Sequence, residues 1–157
     1  ERTLLHPNPI TFSGEVNGLR FSGSFGWSDR GWSQIRCFAN LRETTGGGSH
    51  QRALMKGLTS RIRSWCRKEQ AMSSTAGLSD TVYRGLVAVI HVVLPDPNFK
   101  GACLERLDNP EIEAPIVRSV RAALSEFLDR DTKSAKRVLT HILSSSSQPT
   151  SHHDVPS

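Results

Sequence analysis

At 157 residues with 36% apolar side chains, the chain suits one domain that buries roughly 70% of its unfolded surface. Its formal charge of +5 and pI of about 9.6 admit an acidic partner without naming one. No run approaches the ~18 apolar residues of a membrane span, no basic-then-apolar leader opens the chain, and Cys37, Cys66 and Cys103 form no CxxC pair. A membrane partner, a metal knuckle and a disulfide framework are therefore not expected, and reduced thiols in a cytoplasmic protein are. The start on Glu1 rather than Met leads us to expect an excised fragment or a processed product.

Ile10 to Glu15 alternates, and Asn17-Gly18 then predicts a tight hairpin, because both turn positions need positive φ. Leu19 to Trp27 is the expected return strand, and Ser28-Asp29-Arg30-Gly31 a further turn. Gln34 to Ala39 is a third strand, so an antiparallel meander is expected. A loop with three consecutive glycines, Gly46-Gly47-Gly48, feeds a helix expected from near His50 to Lys68. Leu54, Met55, Leu58, Ile62, Trp65 and Cys66 share one arc of it, and Arg52, Lys56, Arg63 and Arg67 another. Residues 70–77 are small and polar and predict a flexible connection. Asp80 to Arg84 makes a helical turn with Ser79 as its candidate cap. Leu86 to Leu94, rich in Val and Ile, predicts a buried strand that Pro95 and Pro97 end. Asp96 to Glu113 reads as a long loop, a common place for function. Helices are expected at Ala114–Leu128, with Val117, Val120, Leu124, Phe127 and Leu128 inward, and at Thr132–Leu143, with Ala135, Val138, Leu139, Ile142 and Leu143 inward. Residues 144–157, including His152 and His153, read as a flexible tail. This order gives α+β, an antiparallel-rich sheet covered by helices on one face.

Several segments carry a more specific signal. Phe38-Ala39-Asn40 leads through Thr44-Thr45-Gly46-Gly47-Gly48-Ser49-His50. Leu78-Ser79-Asp80 leads to Arg84-Gly85-Leu86-Val87-Ala88-Val89-Ile90, then to Pro95-Asp96-Pro97 and Phe99. Leu107-Asp108-Asn109-Pro110-Glu111-Ile112 follows. In this order they resemble the transducer domain of the B-type chain of DNA gyrase and topoisomerase IV, over about residues 10–143. The resemblance implies a left-handed β-α-β crossover, an ATP-binding domain upstream, and a metal-binding DNA-cleavage region downstream. It also implies an A-type partner subunit carrying the nucleophilic tyrosine, DNA as substrate, and ATP with magnesium as cofactors of the parent. None of these cofactors is expected to bind this chain alone. Tyr83 is expected to be a packed helix residue. Gyrase and topoisomerase IV are not distinguished.

The departures matter as much. The family's Glu before Gly85 is missing, its Gly stands as Asp108, and Pro110 also departs from the pattern. Gln-Thr-Lys of the family stands here as Ala102-Cys103-Leu104. The lysine contacts the terminal phosphate of ATP in the family, so the resemblance makes Gly101, Ala102, Cys103, Leu104 and Arg106 the nucleotide-sensing loop. Losing such a contact costs on the order of 10²–10⁵ in rate. Arg106 or Lys100 is a candidate substitute. The alternatives are solvated loop charges and a divergent paralogue with weak or no ATP turnover.

The stretch from Gln51 to Lys68 holds six basic residues and no acidic one. Arg52, Lys56, Arg63 and Arg67 are the candidate DNA contacts, since neutralising phosphates needs charge and no base reading. A solvated helix face is the plainer alternative. The glycine loop lacks the lysine of a phosphate-binding loop and reads either as an anion cradle or as a turn needing positive φ. His50, His91 and His141 have no ligand spacing and are read as structural. Beside the enzyme reading stands a non-enzymatic module binding nucleic acid or protein, and more weakly an RNA-binding domain of the same fold.

Overall fold

The computed structural model describes residues 4–30, 32–69 and 77–146. Gly31, most of the expected connection at 70–77, and the tail from 147 with His152 and His153 lie outside the described residues. The hairpin signal is correct. β1 (Ile10–Val16) and β2 (Leu19–Trp27) pair antiparallel across Asn17 and Gly18, whose φ values are 51° and 82°. β3 (Gln34–Ala39) continues through Asn40, at φ 53°, into the two-residue β4 (Arg42–Glu43).

The expected meander is broken. β5 (Leu86–Val93) enters between β2 and β3, giving the order β1-β2-β5-β3-β4. It pairs antiparallel with β2 and parallel with β3. The physical reason is burial, because the most apolar strand takes the centre, where both its edges are hydrogen-bonded.

α1 (Ser49–Lys68) and α3 (Glu113–Arg130) cover one sheet face. Phe12, Phe21, Phe25 and Trp27, with Leu86, Ala88, Ile90 and Val92, meet Leu54, Leu58, Ile62, Ile116, Val120 and Leu124 in one core. Met55, Trp65, Val117 and Phe127, expected inward, sit at its margin, and Ile116 takes a central place instead. α2 (Leu78–Tyr83) starts on Gly77 at φ 73° with no side-chain cap, so Ser79 does not play the expected role. Tyr83 is exposed rather than packed. Trp27, fully buried, donates its indole N–H to Val82 O at 2.9 Å and fastens α2 to the sheet end. α4 (Thr132–Ser146) packs on α2 and α3, and continues three residues beyond the expected Leu143.

Candidate functional site

The expected loop from Asp96 to Glu113 is built, not open. β6 (Phe99–Lys100) and β7 (Arg106–Leu107) form a hairpin, followed by a 3₁₀ turn at Pro110–Ile112. Asn109, 5% exposed, organises it. Its side-chain oxygen accepts Asn98 N–H at 2.8 Å, and its amide nitrogen donates to Asp96 O at 3.2 Å and Glu111 Oε1 at 2.7 Å. That last bond holds the Glu111 carboxyl below its usual range. The Leu107–Ile112 motif is thus a folding device as well as a signature.

The hairpin tip is Gly101 to Glu105. Gly101 has φ 98° and Leu104 φ 52°, and Leu104 N–H donates to Gly101 O at 3.2 Å. The Glu105 carboxylate folds back over Gly101 and accepts Cys103 N–H at 2.9 Å. Leu104 is 44% exposed at this tip, in a backbone region that costs a non-glycine residue about 1 kcal/mol. Lys100 and Arg106 are direct cross-strand partners just below the tip, and both are exposed. Like charges placed opposite one another repel, so the hairpin presents a pair of cations suited to an anion.

This hairpin is joined to the start of α1 by backbone. Gly46 N–H donates to Glu105 O at 2.8 Å, Leu107 N–H donates to Gly47 O at 3.0 Å, and Gly48 and Leu107 form a parallel bridge. Ser49 Oγ, fully buried, accepts Asn109 N–H at 2.8 Å and an Arg52 guanidinium N–H at 3.1 Å. Arg42 lies 5.2 Å over the Phe99 ring and holds the other side. The anion-cradle reading of the glycine loop is corrected here. Gly46 and Gly47 spend their N–H groups on Glu105 O and Thr44 O. The glycines serve as the turn, with Gly47 at φ 74° and Gly48 at φ 129°.

Beneath the loop lies a buried polar knot. Thr44 Oγ1 donates to Cys37 O at 3.1 Å and faces His50 Nε2 at 2.9 Å. His50 is buried, with Nε2 as its bonded ring nitrogen. Its Nδ1 has no partner among the described residues. Burial, then the Arg52 charge, push the imidazole down to about 4. Burial pushes the Cys37 thiol up to about 12. Asn40 ties β3 to β5, as its side chain accepts Leu94 N–H at 3.0 Å and its carbonyl meets His91 Nε2 at 2.7 Å. His141 Nε2 lies 3.2 Å from Arg84 O. Each of the three histidines thus has a ring nitrogen within hydrogen-bond distance of another group of the fold.

The basic stripe is present on α1 but divided. Lys56 Nζ lies 3.2 Å and Arg52 Nε 3.7 Å from Glu113 Oε1, on the first turn of α3. The Arg63 and Arg67 guanidinium groups make no hydrogen bond or ion pair among the described residues. Matched contacts of 56 with 113, 60 with 121 and 61 with 125 show α1 and α3 running side by side in the same direction. Arg121 donates to Ser60 Oγ and Arg61 to Ser125 Oγ, both at 2.6 Å. Arg121 thus brings a charge from α3 to Ser60, which lines the same groove as Arg52, Lys56 and Arg63, whereas Arg61 lies half a turn round α1 from Arg52. Reading α1 alone missed Arg121 and Glu113. An apolar groove of about 510 Å³ between Met55, Val117 and the stems of Arg52, Lys56 and Arg63 runs along it. Among the described residues no acidic, His or Cys group clusters as a metal site, and no helix is long and apolar enough to cross a membrane.

Known proteins supply a second line. Residues 1–153 match the family described as DNA gyrase B. The chain is 31% identical over 143 residues to the DNA gyrase B protein of Myxococcus xanthus, a match covering 90% of this chain and 18% of that protein. With the DNA gyrase B protein of a Synechocystis species the identity is 33% over 133 residues, 82% of this chain and 12% of that one. The chain thus spans under a fifth of the length of these relatives. Its fold is similar to the 43K ATPase domain of Thermus thermophilus gyrase B, at a TM-score of 0.80 and 26% identity, over 92% of this chain and 39% of that one. It also resembles in fold the ATP binding domain of Francisella tularensis topoisomerase IV, at a TM-score of 0.74 and 22% identity, over 87% of this chain and 38% of that one.

Proposed function

This chain belongs to the DNA gyrase B family, and on that premise we propose that it is the transducer domain of an ATP-dependent type IIA DNA topoisomerase. It couples ATP binding and hydrolysis in an upstream domain to passage of DNA through the parent enzyme. One observation carries this reading. The exposed hairpin tip is joined, by main-chain bonding at Leu107 and by the bond from Asn109 N–H to Ser49 Oγ, to the start of the helix that carries Arg52, Lys56, Arg63 and Arg67. A push on the tip moves the cationic helix, because little between them is soft. That is hinge-type coupling of occupancy to geometry.

In this reading the tip at Gly101, Ala102, Cys103, Leu104 and Arg106 senses nucleotide, and α1 with α3 faces DNA. ATP and magnesium are held upstream, so the isolated chain turns over no ATP. A metal-binding cleavage region follows, and an A-type partner supplies the tyrosine. The parent works in the cytoplasm.

Leu104 favours a second reading, a module that keeps the scaffold and has lost the phosphate contact. It is exposed at the tip and carries no charge. Lys100 and Arg106, opposed on the hairpin, are the groups that replace it in the first reading. DNA-stimulated ATP turnover of the parent, wild type beside Leu104→Lys and Arg106→Ala, separates the two. Wild-type turnover that collapses in Arg106→Ala supports substitution by Arg106. No wild-type turnover with recovery in Leu104→Lys means a silent ATPase on an intact scaffold. Silence in both removes the enzyme reading.

A further inference from the structure

Glu113 is the one acidic side chain among the described residues that pairs with the α1 stripe. Its side chain is 15% exposed, whereas those of Arg52 and Lys56 are 50% and 63% exposed. One carboxylate oxygen thus sits, largely sheltered, between two cations whose other sides face solvent. A carboxylate shared by two basic side chains occupies the place a backbone phosphate oxygen would take, with the same charge-assisted donors. It also stands in the first turn of α3, where a negative charge is favoured by the helix dipole, so its position is fixed independently of the stripe.

We propose that Glu113 is a built-in competitor for nucleic-acid phosphate: it occupies Arg52 and Lys56 in the free protein and limits how tightly the two-helix surface holds a duplex. The proposal rests on the DNA-facing role of α1 and α3 and adds its regulation. Arg63 and Arg67, without an acidic partner among the described residues, then supply most of the hold. Arg52 and Lys56 engage only when a phosphate displaces the carboxylate. Such a surface holds a passing strand weakly, which transport requires and tight binding defeats.

The test is fluorescence anisotropy with a labelled mixed-sequence DNA duplex, titrated across salt concentrations with the full chain. Glu113→Gln is expected to bind about two- to fivefold more tightly at low salt, the worth of one exposed ion pair. Its log–log salt slope should steepen by about 1–2, one step for each phosphate newly engaged. Lys56→Gln should weaken binding more in the Glu113→Gln background than in wild type, because the carboxylate no longer masks that charge. Glu126→Gln, which removes the same charge from a carboxylate paired with Arg130, should leave affinity within error. Equal tightening in both Gln variants would mean bulk charge and overturn the proposal. So would an unchanged Glu113→Gln beside an Arg63→Gln/Arg67→Gln variant that binds more weakly. If that arginine variant binds as wild type does, or wild type binds no duplex, the DNA reading itself fails and the inference with it.

Discussion

Replacing Gly48 with Ala should cut the link between the hairpin and α1. Gly48 sits at φ 129°, ψ −151°, a region essentially reserved for glycine that costs other residues about 1–3 kcal/mol. The added Cβ would also meet the backbone of β7, pressing on Leu107 O and lying 2.6 Å from Leu107 N. Backbone cannot rotate away as a side-chain end can, so β7 must move. That breaks the bond from Leu107 N–H to Gly47 O, at about 1 kcal/mol. It also uncovers part of the fully buried Leu107 side chain, whose complete burial contributes about 1.5–3 kcal/mol. The sum is about 3–5 kcal/mol, a large part of a typical stability of about 5–15. Urea unfolding followed by fluorescence, with buried Trp27 as a reporter, reads the loss. Hydrogen exchange should accelerate at the Leu107 and Asn109 amides while β2 and β5 stay protected. A loss under about 1 kcal/mol, or exchange that rises evenly across the sheet, would refute the reasoning.

The buried His50 makes stability depend on pH in a stated direction. Its ordinary value is 6.5 and its folded value about 4, so the unfolded chain takes the proton first as pH falls. The stability it contributes is whole above pH 6.5 and is lost on the way down to about 4, up to about 3 kcal/mol. His50→Gln should flatten that slope in urea melts, leaving the share of His6, which burial lowers in the same sense; an unchanged profile would sink the assignment. Cys103 is exposed, whereas Cys37 and Cys66 are buried, so a thiol reagent at mildly alkaline pH should modify one site in the native chain and three after unfolding. Early labelling of Cys37, held at about 12, would contradict the packing. At Gly57 an Ala gains about 1 kcal/mol of helix propensity but sets its Cβ 2.8 Å from Val120 Cβ. Overpacking of about 1–3 kcal/mol should win, and a stabilised variant in urea unfolding would show that α1 and α3 are not so closely set.

Much of the site could be read from the chain because its residues lie close in sequence. Thr44 and His50 are six apart and meet in one knot. Asn109 and Glu111 are two apart and bond directly. The Leu104 departure is visible as a residue change at a known place in a motif. Its setting is not, since nothing local announces that Lys100 and Arg106 face each other across a hairpin. The stripe of Arg52, Lys56, Arg63 and Arg67 follows from helical spacing, but its division does not. Glu113 lies 57 residues from Lys56, and Arg121 is 61 from Ser60.

The sequence by itself determined the elements whose causes are local. Asn17-Gly18 turns because both residues accept positive φ. α1 and α3 form because their apolar residues recur at helical period, and β5 because β-branched residues fill it. The tertiary structure alone decided where β5 pairs. Pairing is settled by what buries most apolar surface once all strands compete, and that put β5 between β2 and β3 against the order of the chain. It likewise decided which charges are free. Coulombic attraction acts on distance in space, and only the packing of α3 along α1 set the Glu113 carboxylate between Arg52 and Lys56 while leaving Arg63 and Arg67 open.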